Sequence, residues 1–165
     1  MQDVVIVGAC RTAIGAFGGA LSMVGAPQLG AIVIQEALRR ARVAPDTVDE
    51  VVMGHVLQAG VGQHPARQAA LGAGLPIAVS AWSLNKMCGS GLQAVAMARQ
   101  ALLSGESDTV IAGGMESMTR APFLMQKHRG GQKYGHDKLF DHMALDGLED
   151  AYEGLAMGVY ADAAA

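Results

Sequence analysis

The sequence NKMCGSGLQAV, residues 85–95, places Cys88 between a predicted strand, residues 79–84, and a predicted helix, residues 89–104. At the start of a helix, free backbone N–H groups and the positive end of the helix dipole stabilise a thiolate relative to a thiol. The segment therefore predicts that Cys88 is a nucleophile. Gly89 and Gly91 are expected to let an acyl group approach the backbone, because glycine has no side chain.

Two other interpretations fit the same residues. A free cysteine is most often a small buried apolar residue. Gly89, Gly91 and Ala94 also match the relaxed G-x-G-x-x-A pattern of dinucleotide-binding helices. That pattern normally follows an apolar strand, whereas residues 83–86 (SLNK) are polar, and no acid ends a strand about 20 residues further on. A nicotinamide-dependent enzyme is therefore the minor alternative.

Outward from this segment, strand and helix patterns alternate along the chain. Apolar runs predict strands at residues 3–8, 50–54, 79–84 and 109–112. Helical patterns open at Pro27 and close at residues 43–45, and two further helices are predicted at 65–72 and 89–104. The last of these helices is apolar nearly all round and should be largely buried. The alternation predicts an α/β layered fold.

Composition and charge exclude several classes of protein. The chain has 165 residues, of which 51% are hydrophobic and 16% charged, as in a globular domain with one core. Its net charge of -3 and its lack of a basic stripe argue against nucleic acid as a partner. Cys10 and Cys88 lie far apart, outside any disulfide framework or cysteine zinc site, which favours a cytoplasmic protein without a metal.

Targeting and membrane segments are not indicated either. The first residues lack the pattern of a secretory signal peptide. Residues 12–35 carry no charge, but glycines, Pro27, Ser22 and Gln28 interrupt them. We therefore expect a buried loop followed by a helix, and no membrane span.

Several motifs in succession resemble one family. NKMCGSGLQAV is similar to the acyl-acceptor motif of thiolases, and further matches lie at residues 11–19, 54–68 and 113–118. The resemblance runs along the whole chain and corresponds to the N-terminal part of a thiolase. It implies that the Cys88 thiolate attacks a thioester carbonyl and that acyl groups pass between CoA thioesters, by 3-ketoacyl-CoA thiolysis or by acetyl-CoA Claisen condensation.

The resemblance also implies binding residues and partners. Leu148 and Met157 would line the substrate pocket, and residues 127–138 would form a cationic loop that attracts CoA. Coenzyme A would be a substrate and no cofactor would be needed, and the complete protein would be a homodimer or homotetramer. Ala156 stands where short-chain biosynthetic members often have histidine, which is expected to admit longer acyl chains.

For the fold, the resemblance implies the first half of a thiolase, a mixed sheet flanked by helices with strand order 3-2-1-4-5. Residues 1–118 would form this half without its last strand, leaving strand four at an exposed edge, and residues 119–165 would be the truncated start of an inserted loop domain. The family's activating histidine and second cysteine motifs are absent, so the segment alone is expected to be inactive. The alternatives are another thiolase-fold condensing enzyme or a non-catalytic truncated chain that dimerises.

Overall fold

The computed structural model describes residues 3–165, and a parallel sheet lies at its centre. Strands β1 (Glu50–Gly54), β2 (Ser80–Leu84) and β3 (Val110–Gly114) form the sheet in the order β2-β1-β3. Gly54, the last residue of β1, is opposite Leu84 and Gly114, so all three strands end at one edge. Side chains that follow the strands are therefore brought together there.

Three helices pack on this sheet: α1 (Ala26–Ala41), α2 (Pro65–Gly72) and α3 (Ser90–Ser104). α1 and α2 have proline in the first turn, where a missing N–H group costs nothing. α3 ends at Gly105, whose φ of 77° is the left-handed conformation that glycine adopts most readily. The predicted positions of the three helices are confirmed to within a few residues.

The central strand shows which helix covers which face of the sheet. Val51 and Met53 belong to the main hydrophobic cluster, with residues of α1 and α2. Val52 and Gly54 point to the other face, since successive strand residues alternate, and a Cβ atom on Gly54 would touch Ser90 of α3. The cluster consists of Ala26, Ile34, Leu38, Val48, Val51, Met53, Ala66, Ala69, Ala70, Ala73, Leu75, Val79 and Met115.

The remaining segment contains short elements. Strands β4 (Phe123–Met125) and β5 (Leu139–Asp141) form an antiparallel pair, followed by a π-helix (Ala144–Leu148) and α4 (Met157–Ala164). The domain boundary predicted at residue 118 stays a prediction. So does the predicted truncation of the two domains that it separates.

The predicted first strand is wrong. Residues 3–8 make no sheet pairing, and Val5, Ile6 and Val7 are 71%, 79% and 63% exposed. The segment leads instead into a stretch beside α1, where the guanidinium of Arg40 donates to Ala9 O over 3.1 Å. The predicted strand order 3-2-1-4-5 is therefore also wrong. It puts the strand at residues 3–8 between β1 and β3, whereas β1 is hydrogen-bonded directly to β3 on one side and to β2 on the other. The fourth predicted strand, β3, does lie at an edge.

Two expectations about burial are also wrong. α3 is buried only at Ser90, Ala94 and Ala98, and Leu92 is 79% exposed, because the helix touches the sheet through one narrow face. The loop before α1 is not buried, since Ile14 is 81% exposed. Across residues 3–165, no helix is both long and apolar enough to cross a membrane.

Candidate active site

Cys88 lies in a turn between β2 and α3, as the sequence predicts. Gly89 is the N-cap residue of α3, and Cys88 directly precedes it with an exposed side chain. The turn is closed by two backbone hydrogen bonds, from Gly89 N–H to Lys86 O over 3.1 Å and from Ser90 N–H to Met87 O over 3.0 Å. The thiol is thus open to solvent and held at the positive end of a 15-residue helix.

Glycines bring this turn close to the sheet. A Cβ atom on Gly54 would lie 2.5 Å from the carbonyl carbon of Ser90, and one on Gly114 would lie 3.2 Å from Gly91 Cα. Gly91 therefore has a packing role against β3. Because Gly54 and Gly114 have no side chains, the first turn of α3, directly after Cys88, can lie close to the ends of β1 and β3.

A buried histidine and a glutamate follow the neighbouring strands. His55, directly after β1, is 1% exposed, and its Nε2 atom lies 3.1 Å from Oε1 of Glu116, which follows β3. The Glu116 carboxylate also accepts the N–H groups of Val56 and Leu57. The carboxylate therefore joins the chain segments that leave β1 and β3, at the edge where Cys88 also lies.

The pKa of Glu116 reflects competing effects. Burial raises the pKa of this carboxyl group, but the contacts with His55 and with the N–H groups of Val56 and Leu57 together lower it by more. The net pKa lies below the ordinary value, so Glu116 is ionised at neutral pH. The sequence analysis did not predict that His55 and Glu116 are in contact. Both residues do directly or nearly follow apolar strands, which is the signal that could have identified them.

A second histidine connects the C-terminal segment to the sheet domain. His142 is 6% exposed, and its Nε2 atom accepts the N–H group of Ala59 over 3.2 Å. Its Nδ1 atom lies 2.5 Å from Oδ2 of Asp146. Because Nε2 accepts a hydrogen bond, the proton of a neutral ring lies on Nδ1 and is donated to the carboxylate. The pair thus ties residues 139–148 to the loop after β1.

The predicted substrate-binding residues lie in this C-terminal segment. Leu148 ends the π-helix and Met157 begins α4, and they flank the bridge between Glu149 and Ala156. The structure therefore brings Leu148 and Met157 near each other, with exposed fractions of 40% and 55%. Within residues 3–165, neither of their elements packs extensively on α3, the helix that follows Cys88.

The predicted cationic loop is an exposed segment. Residues 127–138 contain one short 3-10 turn, His128–Gly130, and carry four Lys and Arg residues. Nε2 of His128 lies 2.5 Å from Asp137 Oδ2. This contact and the bond from Lys138 N–H are among the causes that hold the pKa of Asp137 below its usual range, the backbone bond being the larger. In the part of the chain from residue 3 onward, no three His, Cys, Asp or Glu side chains converge as a metal site would require.

Comparisons with known proteins identify one family. Residues 4–165 match the family model described as thiolase, N-terminal domain. The acetyl-CoA acetyltransferase of Cupriavidus necator is 53% identical over 162 residues, which cover 98% of this chain and 41% of the relative. The acetyl-CoA acetyltransferase of Pseudomonas aeruginosa is 51% identical over 162 residues, with the same coverage.

The cytosolic acetyl-CoA acetyltransferase of Rattus norvegicus is 52% identical over 161 residues, covering 98% of this chain and 40% of the relative. The chain therefore spans about two fifths of the length of these relatives. Because the match to the family model begins at residue 4 and continues to residue 165, the chain belongs to the thiolase family, in the region of its N-terminal domain.

Proposed function

We propose that this chain supplies the nucleophile of an acyltransferase that acts on CoA thioesters. The observation that carries the proposal is the exposed Cys88 in a hydrogen-bonded turn at the start of α3. A thiol in this position is accessible to a thioester and is favoured as a thiolate by the helix dipole. The names of the relatives, acetyl-CoA acetyltransferase, support the same reaction.

The reaction has two halves. The Cys88 thiolate adds to the carbonyl carbon of an acyl-CoA, and the C–S bond to CoA breaks to leave a thioester on Cys88 and a CoA thiolate that takes up a proton. With a 3-ketoacyl-CoA, the thiolate adds instead to the C3 ketone carbon, the bond between C2 and C3 breaks, and the acetyl-CoA enolate that leaves takes up a proton at C2. A second CoA or acetyl-CoA then loses a proton and attacks the acyl carbon, and the bond to Cys88 breaks to release the thiolate. The backbone N–H of Cys88 is one donor to the oxyanion.

Other parts of the chain have roles in the same proposal. Leu148 and Met157, which flank one bridge, would form an apolar wall for the acyl and pantetheine groups. The Lys and Arg residues of segment 127–138 would attract the CoA phosphates. The complete protein would be a cytoplasmic homodimer or homotetramer, needing neither metal nor redox cofactor. The word cytosolic in the name of the rat relative supports the compartment.

Acetylation of Cys88 tests the proposal directly. Incubation of the complete protein with acetyl-CoA followed by peptide mass spectrometry should find one acetyl group, on the peptide that carries Cys88. Cys88→Ala should abolish the adduct, and Cys10→Ala should leave it unchanged, because the Cys10 thiol is half-buried and bonded to Val33 O. Full acyl transfer by a complete Cys88→Ala protein would contradict the assignment.

The rate of thiolysis should distinguish the 165-residue chain from a complete thiolase. The 165-residue chain should show no thiolysis of acetoacetyl-CoA, since it lacks the family's activating histidine and second cysteine motifs. Loss of one oxyanion donor alone slows catalysis by about 10²- to 10³-fold. Thiolysis by the purified chain at the rate of an ordinary thiolase would show that the catalytic groups have been misplaced.

Ala156 is proposed to set the acyl chain length. Ala156 is exposed and directly precedes Met157 in the chain. Its bridge to Glu149 brings it close to Leu148, the residue before Glu149. An alanine leaves room for additional methylenes, each worth about 0.8 kcal/mol when buried against apolar walls. Ala156→His in the complete protein should therefore increase the preference for four-carbon over six-carbon 3-ketoacyl-CoA. An unchanged ratio of the two kcat/KM values would refute this role.

A further inference from the structure

We propose that Ser90 and Asn85 are positioning residues for Cys88, which they hold by bracing Met87 from both sides. This inference rests on the proposed function of Cys88 as the acyl acceptor. It assigns the geometry of the nucleophile to two side chains that do not react themselves.

Ser90 makes hydrogen bonds on both sides of Met87. Its Oγ atom accepts the N–H group of Lys86 over 2.9 Å and lies 2.5 Å from Met87 O, to which its hydroxyl donates. Ser90 is 4% exposed, so water does not compete for these bonds. One hydroxyl group thereby fixes the chain before and after Met87.

Asn85 braces the same residue from the solvent side. Its Oδ1 atom accepts the N–H group of Met87 over 2.9 Å. Met87 has a φ of 50°, a left-handed conformation that a residue with a side chain rarely adopts. The two side chains bond the N–H and C=O groups of Met87, and the following residue, Cys88, is exposed.

Ser90 is itself held in place by the sheet. A Cβ atom on Gly54 would lie 2.7 Å from Ser90 Cβ and 2.5 Å from its carbonyl carbon, so β1 and the first turn of α3 are in direct contact. The hydroxyl of Ser90 therefore acts from a rigid base. The Cys88 thiol is in this way positioned relative to the strand ends through Ser90 and Met87.

The test compares two variants with a matched control on the same helix. Ser90→Ala removes the inner brace and Asn85→Ala the outer one. Ser104→Ala removes a serine hydroxyl that bonds Ala101 O over 3.0 Å at the far end of α3, 14 residues from Ser90 in a helix that Ser104 ends. For each variant, made in the complete protein, the rate of Cys88 acetylation is measured over a range of acetyl-CoA concentrations, together with alkylation of Cys88 and Cys10 by iodoacetamide.

The saturating rate of acetylation should fall between about 10- and 100-fold in Ser90→Ala, since small displacements of a reacting group have effects of this size. It should fall about 2- to 5-fold in Asn85→Ala, because an exposed hydrogen bond contributes less. The half-saturating acetyl-CoA concentration and the rate of Cys88 alkylation should change little, because a small reagent approaches the thiol from any side. Ser104→Ala should match the unmodified chain.

Each other outcome is decisive. Equal acetylation of Ser90→Ala, Asn85→Ala and the unmodified chain would overturn the positioning roles while leaving the proposed function intact. Absence of acetylation in the unmodified complete protein, with normal alkylation of Cys88, would refute the proposed function itself. Faster Cys10 alkylation in Ser90→Ala would report unfolding, and Asn85→Ala, whose residue is exposed, then decides the question alone.

Discussion

The two faces of the parallel sheet are packed by different means. Toward α1 and α2, side chains of ordinary size such as Ile34, Met53 and Met115 fill the space between the layers. Toward α3, Gly54 and Gly114 bring backbone against backbone. A side-chain layer can adjust by rotation about its torsions, whereas touching backbones cannot, so the face that carries Cys88 is the more sensitive to added volume.

Adding a methyl group to each face is the strongest test of this difference. Gly54→Ala would place its Cβ 2.5 Å from the carbonyl carbon of Ser90 and 2.6 Å from Gly91 N, both backbone atoms. We expect this variant to lose more than about 3 kcal/mol of unfolding free energy, beyond most overpacking changes. Urea unfolding followed by circular dichroism would measure it.

Gly30→Ala is the matched change on the other face. Its Cβ would lie 2.7 Å from the Met115 sulfur, near the end of a flexible side chain, and 3.0 Å from Ala69 Cβ. We expect a net loss of about 1 kcal/mol, because overpacking is partly offset by the helix propensity of alanine. Gly158→Ala, which also lies in a helix but has no atom within 4 Å of the new Cβ, is the control without overpacking and should be neutral or slightly stabilising. Equal losses at positions 54 and 30 would contradict the comparison.

Removing volume should matter most in the side-chain layer. Ile34 is 1% exposed in the cluster between α1 and the sheet. Ile34→Ala should lower the free energy of unfolding by about 3 kcal/mol and Ile34→Val by about 1 kcal/mol, following the usual graded response to cavities. Thermal and urea unfolding would check both values, and a cost for Ile34→Ala no larger than that for Ile34→Val would show that this layer is loosely packed.

The Glu116 carboxylate links the segments that follow β1 and β3, and its contribution to the free energy of unfolding should depend on pH. The pKa of this group is lowered in the folded state, so its stabilisation is fully present above the unfolded value of about 4.3 and is lost as the pH falls below it through the folded value. Glu116→Gln should cost about 1 kcal/mol at pH 7, after allowance for its partial exposure.

The pH series supplies the control for this prediction. The difference in unfolding free energy between the unmodified chain and Glu116→Gln should stay constant from pH 7 to about 5 and shrink below about pH 4. A difference that grew on acidification would mean that the carboxylate is destabilising in the folded state.

The exposed side of α3 should give the smallest effect. Leu92 is 79% exposed on this helix, opposite the residues that meet the sheet. Leu92→Gln should change the free energy of unfolding by less than about 0.5 kcal/mol, as is usual for surface positions. Ala94→Gln, at a position that is 0% exposed, should be clearly destabilising by comparison. Similar values for the two variants would place α3 differently on the sheet.

Local features were predictable wherever neighbouring residues determine them. Pro27 and Pro65 marked the starts of α1 and α2, because proline favours the backbone angle of a first helical turn. The position of Cys88 before α3 follows from the same local signals. The motif resemblance indicated the family, and the match over residues 4–165 confirms it.

Tertiary structure alone decided which of these elements meet. Residues 3–8 are as apolar and β-branched as a buried strand, yet β1 already has neighbours on both sides. The pairing of His55 with Glu116 likewise joins residues about 60 positions apart, and the burial of α3 depends on its contacts with β1 and β3. Hydrophobic pattern specifies the type of an element, but strand pairing and side-chain partners are contacts between distant residues, and no local periodicity encodes them.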